Sequence, residues 1–445
     1  MDDAMTTRRN ILKGGAGLAA ILASGKAPAA LVKAMLAARQ GIGGRAKLPF
    51  DSVVEYIKSV GFQYIDTGYA VTTDVVKISA RYSFTVSESS STVWGSQTSS
   101  DKNWLANQWG DKWWFGTTTG QFGGSQGTNV RDVEWNIENG TVNGVVGGTS
   151  YSGTYSGSVV SNENVYLFAA NQGGTAIRKS VCALYRFSLH DNGVLVRDFI
   201  PVRVGTTGYM YDRVSGQLFG NQGTGNFVVG PDVVEVEYIE STGTQYIDTG
   251  ITSGTQGIRV TGDVLFTSIT YWDGHNAVFG SLGDANGMSQ LLTLDHTNWQ
   301  TRWCRTGSPQ YVRTGSVSAN VKYQIDISLV SGNVYLDVNG SRLYSSDVSF
   351  TTSSTPEPIY LNALWYNSSP GVFPNGSGRL GFNRYYGAWK FYDASGKLLR
   401  DFAPVRVGSE GAMMDRLTNK IYRNAGTGAF LRGSDAPRKM GGGIT

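Results

Sequence analysis

Val54-Glu55-Tyr56-Ile57, followed by Gln63-Tyr64-Ile65-Asp66-Thr67-Gly68, returns later in the chain as Val236-Glu237-Tyr238-Ile239 and Gln245-Tyr246-Ile247-Asp248-Thr249-Gly250. A second cassette closes each copy. In the first it is Arg197-Asp198-Phe199-Ile200-Pro201-Val202-Arg203-Val204-Gly205, then Asp212-Arg213 and Gly223-Thr224-Gly225. In the second it is Arg400-Asp401-Phe402-Ala403-Pro404-Val405-Arg406-Val407-Gly408, then Asp415-Arg416 and Gly426-Thr427-Gly428. Self-similarity on this scale means tandem homologous modules. Equivalent positions are offset by 182 at the opening and 203 at the closing, so the second copy carries 21 extra residues. Matching Val165-Tyr166-Leu167 to Ile359-Tyr360-Leu361 puts 12 of them before this strand and nine after it, where they enlarge the loop from Trp365 to Gly378.

Working outward, the segments between the cassettes read as short strands. Ile258 to Phe266 and Tyr323 to Leu329 alternate apolar and polar residues, as half-buried strands do. Asn333-Val334-Tyr335-Leu336-Asp337-Val338 ends on Asn339-Gly340, the pair favoured where a hairpin turn needs positive φ twice. With 59 glycines, 12% aromatics and only 16% charged residues, the chain predicts an all-β protein of two tandem sandwiches. The expected division is a leader and linker over 1–47, sandwiches over 48–231 and 232–435, and a tail over 436–445.

The opening phrase, the hairpin at Tyr335 to Gly340, the strand Val165-Tyr166-Leu167-Phe168 and the Arg-Asp-Phe-x-Pro-Val-Arg cassette resemble the laminin G-like branch of the concanavalin A-like lectin and glucanase superfamily. The resemblance runs from Leu48 to about Gly433. It implies a jelly-roll sandwich in each copy and a binding role. Similar modules recur in secreted bacterial surface proteins and in bacteriophage structural proteins, and one such sandwich hosts many functions.

The net charge of +4 is concentrated at the start: residues 1–45 carry +5 and the remainder −1. A near-neutral body without a basic stripe excludes nucleic acid as the expected partner. Thr7-Arg8-Arg9-Asn10-Ile11-Leu12-Lys13, the weakly apolar stretch Gly14 to Ser24 and Ala27-Pro28-Ala29 resemble a twin-arginine signal peptide. The apolar run of 11 residues is too short for a transmembrane helix, which needs about 20. Export is the expectation. The rival reading of Ala29 to Arg39 is a helix that docks on a partner or a membrane surface, and the rival for the whole chain is a virion or appendage protein whose sandwiches decorate a particle while residues 1–45 dock onto it. Cys182 and Cys304 lie at non-equivalent positions and predict buried thiols rather than a disulfide framework.

Candidate chemistry is sparse. Enzymes of the superfamily use a Glu-x-Asp-x-x-Glu strand, whereas Glu134-Trp135-Asn136-Ile137-Glu138 has Asn in the centre and a different final spacing, so these carboxylates are expected in solvent. His190, His275 and His296 are scattered and expected in loops or at the surface. No catalytic residue, metal ligand or cofactor is assigned. Calcium at Asp66 or Asp248 is the weaker alternative to a carboxylate that caps its own turn. The aromatics are the more pointed feature, because an exposed indole beside Asn, Gln or Asp suits a pyranose. The expected ligand-binding residues are Trp104, Asn107, Trp109, Trp299, Arg302, Trp365 and Tyr366, with a glycan or a surface protein as partner. Trp113 and Phe115 are expected on one face of a strand and Trp114 on the other.

Overall fold

In the computed structural model the described residues are 48–436, apart from 86–90, 100–103, 110–111, 118–119, 123–127, 253–256, 270–274, 283–288, 296, 306–307, 348, 350–357, 367–368 and 371–380. The leader expected over 1–47, the residues beyond 436 and most of the loop Trp365 to Gly378 lie outside them. The described residues from Pro49 onward belong to one compact unit.

Strands, without a helix among the described residues, build the chain. In the first copy the larger sheet runs through Thr149–Thr154, Thr141–Val146, Arg131–Glu138, Val75–Phe84, Cys182–Asp191, Val194–Val204, Thr207–Asp212 and Gln217–Phe219, each antiparallel to the next. The second copy repeats this order with Ser341–Ser346, Asn333–Val338, Lys322–Val330, Ile258–Phe266, Asn383–Asp393, Leu398–Val407, Glu410–Asp415 and Lys420–Tyr422. A smaller sheet packs on each. It contains Trp94–Gln97, Trp104–Trp109, Lys112–Gly116 and Gly120–Phe122 in the first copy, and His275–Leu282, Ser289–Asp295, Asn298–Arg305 and Ser308–Ser316 in the second. These are two jelly-roll sandwiches, each around its own core: Trp94, Trp113, Trp135 and Phe187 in one, Trp299, Trp303, Trp389 and Phe391 in the other.

Local sequence accounts for the strands. Ile258–Phe266 buries its alternate residues, and Asn339 and Gly340 take φ of 52° and 77°, the two positive angles a tight hairpin turn requires. Tyr166 lies opposite Asp66, as Tyr360 lies opposite Asp248, so the alignment of the two copies expected from the sequence is met in space.

The larger sheets are continuous through one edge. Ser52–Val54 pairs with Val194–Val204 on one side and with Asp232–Glu235 on the other, and Asp232–Glu235 pairs in turn with Leu398–Val407. A small joint core of Val233, Val405, Val407, Ala412 and Met414 lies there, with Val53 and Ile421 against it. The stretch from Thr418 to Arg423 adds polar contacts to the first copy. Arg186 donates to the Thr418 carbonyl at 2.8 Å, Lys420 pairs with Asp132 at 3.0 Å, and Arg423 with Glu55 at 2.9 Å.

Candidate functional site

The shared phrases form one internal clamp. Arg197 of the closing cassette donates to the carbonyls of Thr67 (2.8 Å) and Gly68 (3.2 Å) in the opening phrase, and Arg400 does the same to Thr249 (3.2 Å) and Gly250 (3.4 Å). Thr67 and Thr249 turn their hydroxyls onto the carbonyls of Val165 and Ile359 at 2.7 and 2.6 Å. Gln63 reaches the Thr224 carbonyl at 3.0 Å, and Asn221 and Asn424 each accept from the amide of the neighbouring tyrosine, Tyr64 or Tyr246, at 3.1 Å. The Gly-Thr-Gly turns therefore clasp the opening phrase.

The aspartates at the turns of the repeats are caps. Asp66 Oδ1 accepts from the Gly68 amide at 2.8 Å and Asp248 Oδ1 from Gly250 at 2.9 Å, the self-capped turn expected from Asp-Thr-Gly. Asp212 and Asp415 are fully buried. Each accepts from a cassette amide, Asp198 or Asp401, and from the turn that follows it. Asp191 is held differently, by the Tyr69 hydroxyl at 2.8 Å and by Thr72 through both its amide and hydroxyl. Burial alone would raise the Asp191 carboxyl, but the bonds from Thr73, Thr72 and Tyr69 carry it below the ordinary carboxylate range. Burial and the same carboxylate push Tyr69 up to about 12.

Of the expected ligand-binding residues, Trp299 is misplaced by the sequence reading. It is 1% exposed and packs against Phe266 and Tyr323 at ring distances of 5.4 and 5.5 Å. The reason is strand order. Trp299 lies on the third strand of this part of its sheet, corresponding to the one that holds Trp113, whereas Trp104 and Trp109 lie on the second. Trp104, Asn107 and Trp109 fall on Trp104–Trp109, with Asn107 registered opposite Trp114 and Trp109 opposite Lys112. Arg302 is registered between Leu291 and Tyr311, and Trp365 and Tyr366 form a short strand against Ser369–Pro370. The side chains of these six residues lie outside the described ones. Trp113 and Phe115 do share the core face, but Trp114 on the other face is also buried, at 7%.

The remaining candidates resolve simply. Glu134, Asn136 and Glu138 stand on the solvent face of Arg131–Glu138, and Glu134 pairs with Lys77 at 2.9 Å. His190 is not a loop residue: it is half-buried in Cys182–Asp191, where burial and then Lys77 lower its pKa. His275 and His296 have no described side chain. Cys182 is fully buried, 3.0 Å from the Ser180 hydroxyl, and the Cys304 side chain lies outside the described residues.

Sequence reasoning passed over one outward strip of the first copy. Burial alternates from Phe62 to Thr67, with Gln63, Ile65 and Thr67 inside and Phe62, Tyr64 and Asp66 facing out. Phe62 is 61% exposed. Tyr64 is stacked on Tyr166 at 5.1 Å and lies under the Lys179 ammonium at 5.5 Å. Asn164 donates to Asp66 Oδ2 at 3.3 Å. The offset of 182 puts Thr244 where the first copy has Phe62, and strand register puts Pro358 where it has Asn164. The signal was available as a difference between otherwise matching phrases.

No family profile and no curated protein sequence matches this chain. Among solved structures, domains LG4-5 of the mouse laminin α1 chain align over 88% of this chain and 97% of theirs, at 10% identity and a TM-score of 0.30. A Bacteroides ovatus protein provisionally described as carbohydrate-binding aligns over 88% and 95%, at 11% identity and 0.32. The Trypanosoma rangeli sialidase in complex with sialic acid covers 60% of this chain and 59% of its own, at 11% identity and 0.25. Likenesses of this degree carry no functional argument.

Proposed function

We propose that this chain is an exported, non-catalytic binding protein that recognises a glycan, or a protein of a bacterial surface, through loops at the rims of its two sandwiches. It makes and breaks no bond and uses no cofactor. One observation supports this above others. Polar side chains that the two copies share are committed to internal bonds, as Arg197 and Arg400, and Asp212 and Asp415, show. Common residues thus serve the scaffold, and recognition falls to the segments in which the copies differ.

The test is glycan binding by the full chain beside variants in which Trp104, Trp109 and Trp365 are each replaced by Ala. Weakened binding in at least one variant, without a change in thermal midpoint, is the expected result. Unchanged binding in all three would remove these positions from the site. Trp299 is left out of that series because it belongs to the core.

A further inference from the structure

We infer that the strip formed by Phe62, Tyr64 and Asp66, with Asn164 and Lys179 beside it, is where the first sandwich holds a neutral oligosaccharide. This rests on the glycan form of the proposed function and gives it a place.

A single exposed phenylalanine is ordinary on a protein surface. The second copy supplies the internal control. It builds the same loop around the same anchors: Gln245 Oε1 accepts from the Thr242 amide at 2.8 Å, as Gln63 Oε1 does from the Val60 amide at 2.9 Å. There the position of Phe62 is Thr244 and that of Val60 is Thr242, so the fold has no need of an apolar tip. In the first copy both positions are apolar and exposed, Val60 at 43% and Phe62 at 61%.

The chemistry beside the free ring suits a polyhydroxylated ligand. Tyr64 is held by contacts with Tyr166 and with Lys179, so its position is set before any ligand arrives. The cap shared with the second copy uses Asp66 Oδ1, whereas Oδ2 meets Asn164 through one long bond of 3.3 Å, which leaves lone pairs of Oδ2 and the side-chain oxygen of Asn164 as acceptors for hydroxyl groups. Pro358 offers neither group at the matching place in the second copy. From Phe62 to Asp66 the chain spans up to about 13 Å, longer than one sugar ring, so an oligosaccharide fits the strip better than a monosaccharide. Asp66 and Lys179 carry opposite charge, so the strip presents no net charge that would favour an acidic or a basic sugar over a neutral one.

Dextran, mannan and laminarin, three neutral polysaccharides, serve as probes in affinity electrophoresis of the full chain. At least one should retard the native protein. Phe62→Thr should weaken that retardation on the order of tenfold with the thermal midpoint unchanged. Asp66→Asn, which keeps an oxygen to cap the Gly68 amide, should weaken it as well. Full retardation of Phe62→Thr would overturn the assignment of this strip, and loss in the Trp104, Trp109 or Trp365 variants would then leave the broader function standing elsewhere on the rim. If the native chain is retarded by none of the three, or binds a protein that none of them displaces, the strip and the carbohydrate reading fall together.

Discussion

Asp198 and Asp401 hold the same place in the closing cassette, yet only Asp198 keeps its arginine close. Arg213 binds it with contacts of 2.8 Å from Nε and 2.6 Å from Nη2. In the second copy Arg416 instead turns to Glu235 at 2.9 Å, standing 3.8 Å from Asp401, whose Oδ1 has no hydrogen-bond partner among the described residues. Burial, only partly offset by Lys390 and Arg416, therefore raises the Asp401 pKa above the ordinary 3.8. The folded state holds this proton more tightly than the unfolded one. Its contribution to stability is complete below the unfolded pKa and is lost as pH rises through the folded value. Asp401→Asn should thus raise the thermal midpoint at pH 7 and leave it unchanged at pH values below 3.8. The same replacement at Asp198 leaves Arg213 without its carboxylate and should destabilise by about 1–3 kcal/mol, read from denaturant unfolding. Trp299→Ala empties a fully packed position and should remove about 3–5 kcal/mol, which distinguishes a core indole from a ligand contact.

The hairpin of Glu410–Asp415 and Lys420–Tyr422, with the residue that follows it, docks on the first copy, whereas its counterpart of Thr207–Asp212 and Gln217–Phe219 carries Gly216, Gln217 and Gly220 where this one has Asn419, Lys420 and Arg423. Burial would raise the Asp132 carboxyl at this contact, but Arg81 and Lys420 outweigh it and hold the pKa below the ordinary range. That contribution is present above the unfolded pKa and lost as pH falls through the folded one. Replacing Lys420 by Gln and Arg423 by Gly, the residues of the first copy, should loosen the contact modestly, because partly exposed ion pairs contribute about 0–1 kcal/mol each. Hydrogen exchange at Ser52–Val54 should speed up in this double variant, and less so in high salt, which already screens the native pairs. Elements with local causes were legible in the chain: the Asn339-Gly340 hairpin, the alternation of Ile258–Phe266 and the capped Asp-Thr-Gly turns all follow from neighbours in sequence. Docking was not legible, since Lys420 and Arg423 read as ordinary surface residues until Asp132 and Glu55 are brought opposite them. Trp299 failed for a related reason: proximity in sequence did not say which strand of the sheet would carry it.

Across the whole molecule, the joint between the copies is a shared strand edge rather than a linker. Val53 lies opposite Val233 and Val54 opposite Asp232, and extending this register puts Ser52 opposite Val234, its own equivalent at an offset of 182. The joint thus has local two-fold character, with the two opening strands pairing antiparallel. Asp232 serves both copies at once, because it begins the second opening strand while accepting two bonds of 2.7 Å from Arg203 of the first cassette. Arg406 and Asp435 repeat that pair at 2.6 and 2.7 Å, which marks Asp232 as the end of one repeat and the start of the next. Separating the sandwiches would unpair a strand edge and expose the joint core, so the two should unfold as one cooperative unit. Val233 is the place to test this: it is 9% exposed in the joint core and belongs to neither main core. Val233→Asp buries an unpaired charge at the joint and leaves Trp135 and Trp389 untouched in their own sandwiches. Calorimetry should show one transition in the native chain and two in Val233→Asp, because each sandwich keeps a core of its own once the edge is broken. A single transition displaced as a whole would mean that the contacts of Arg186, Lys420 and Arg423 couple the sandwiches without the shared strand.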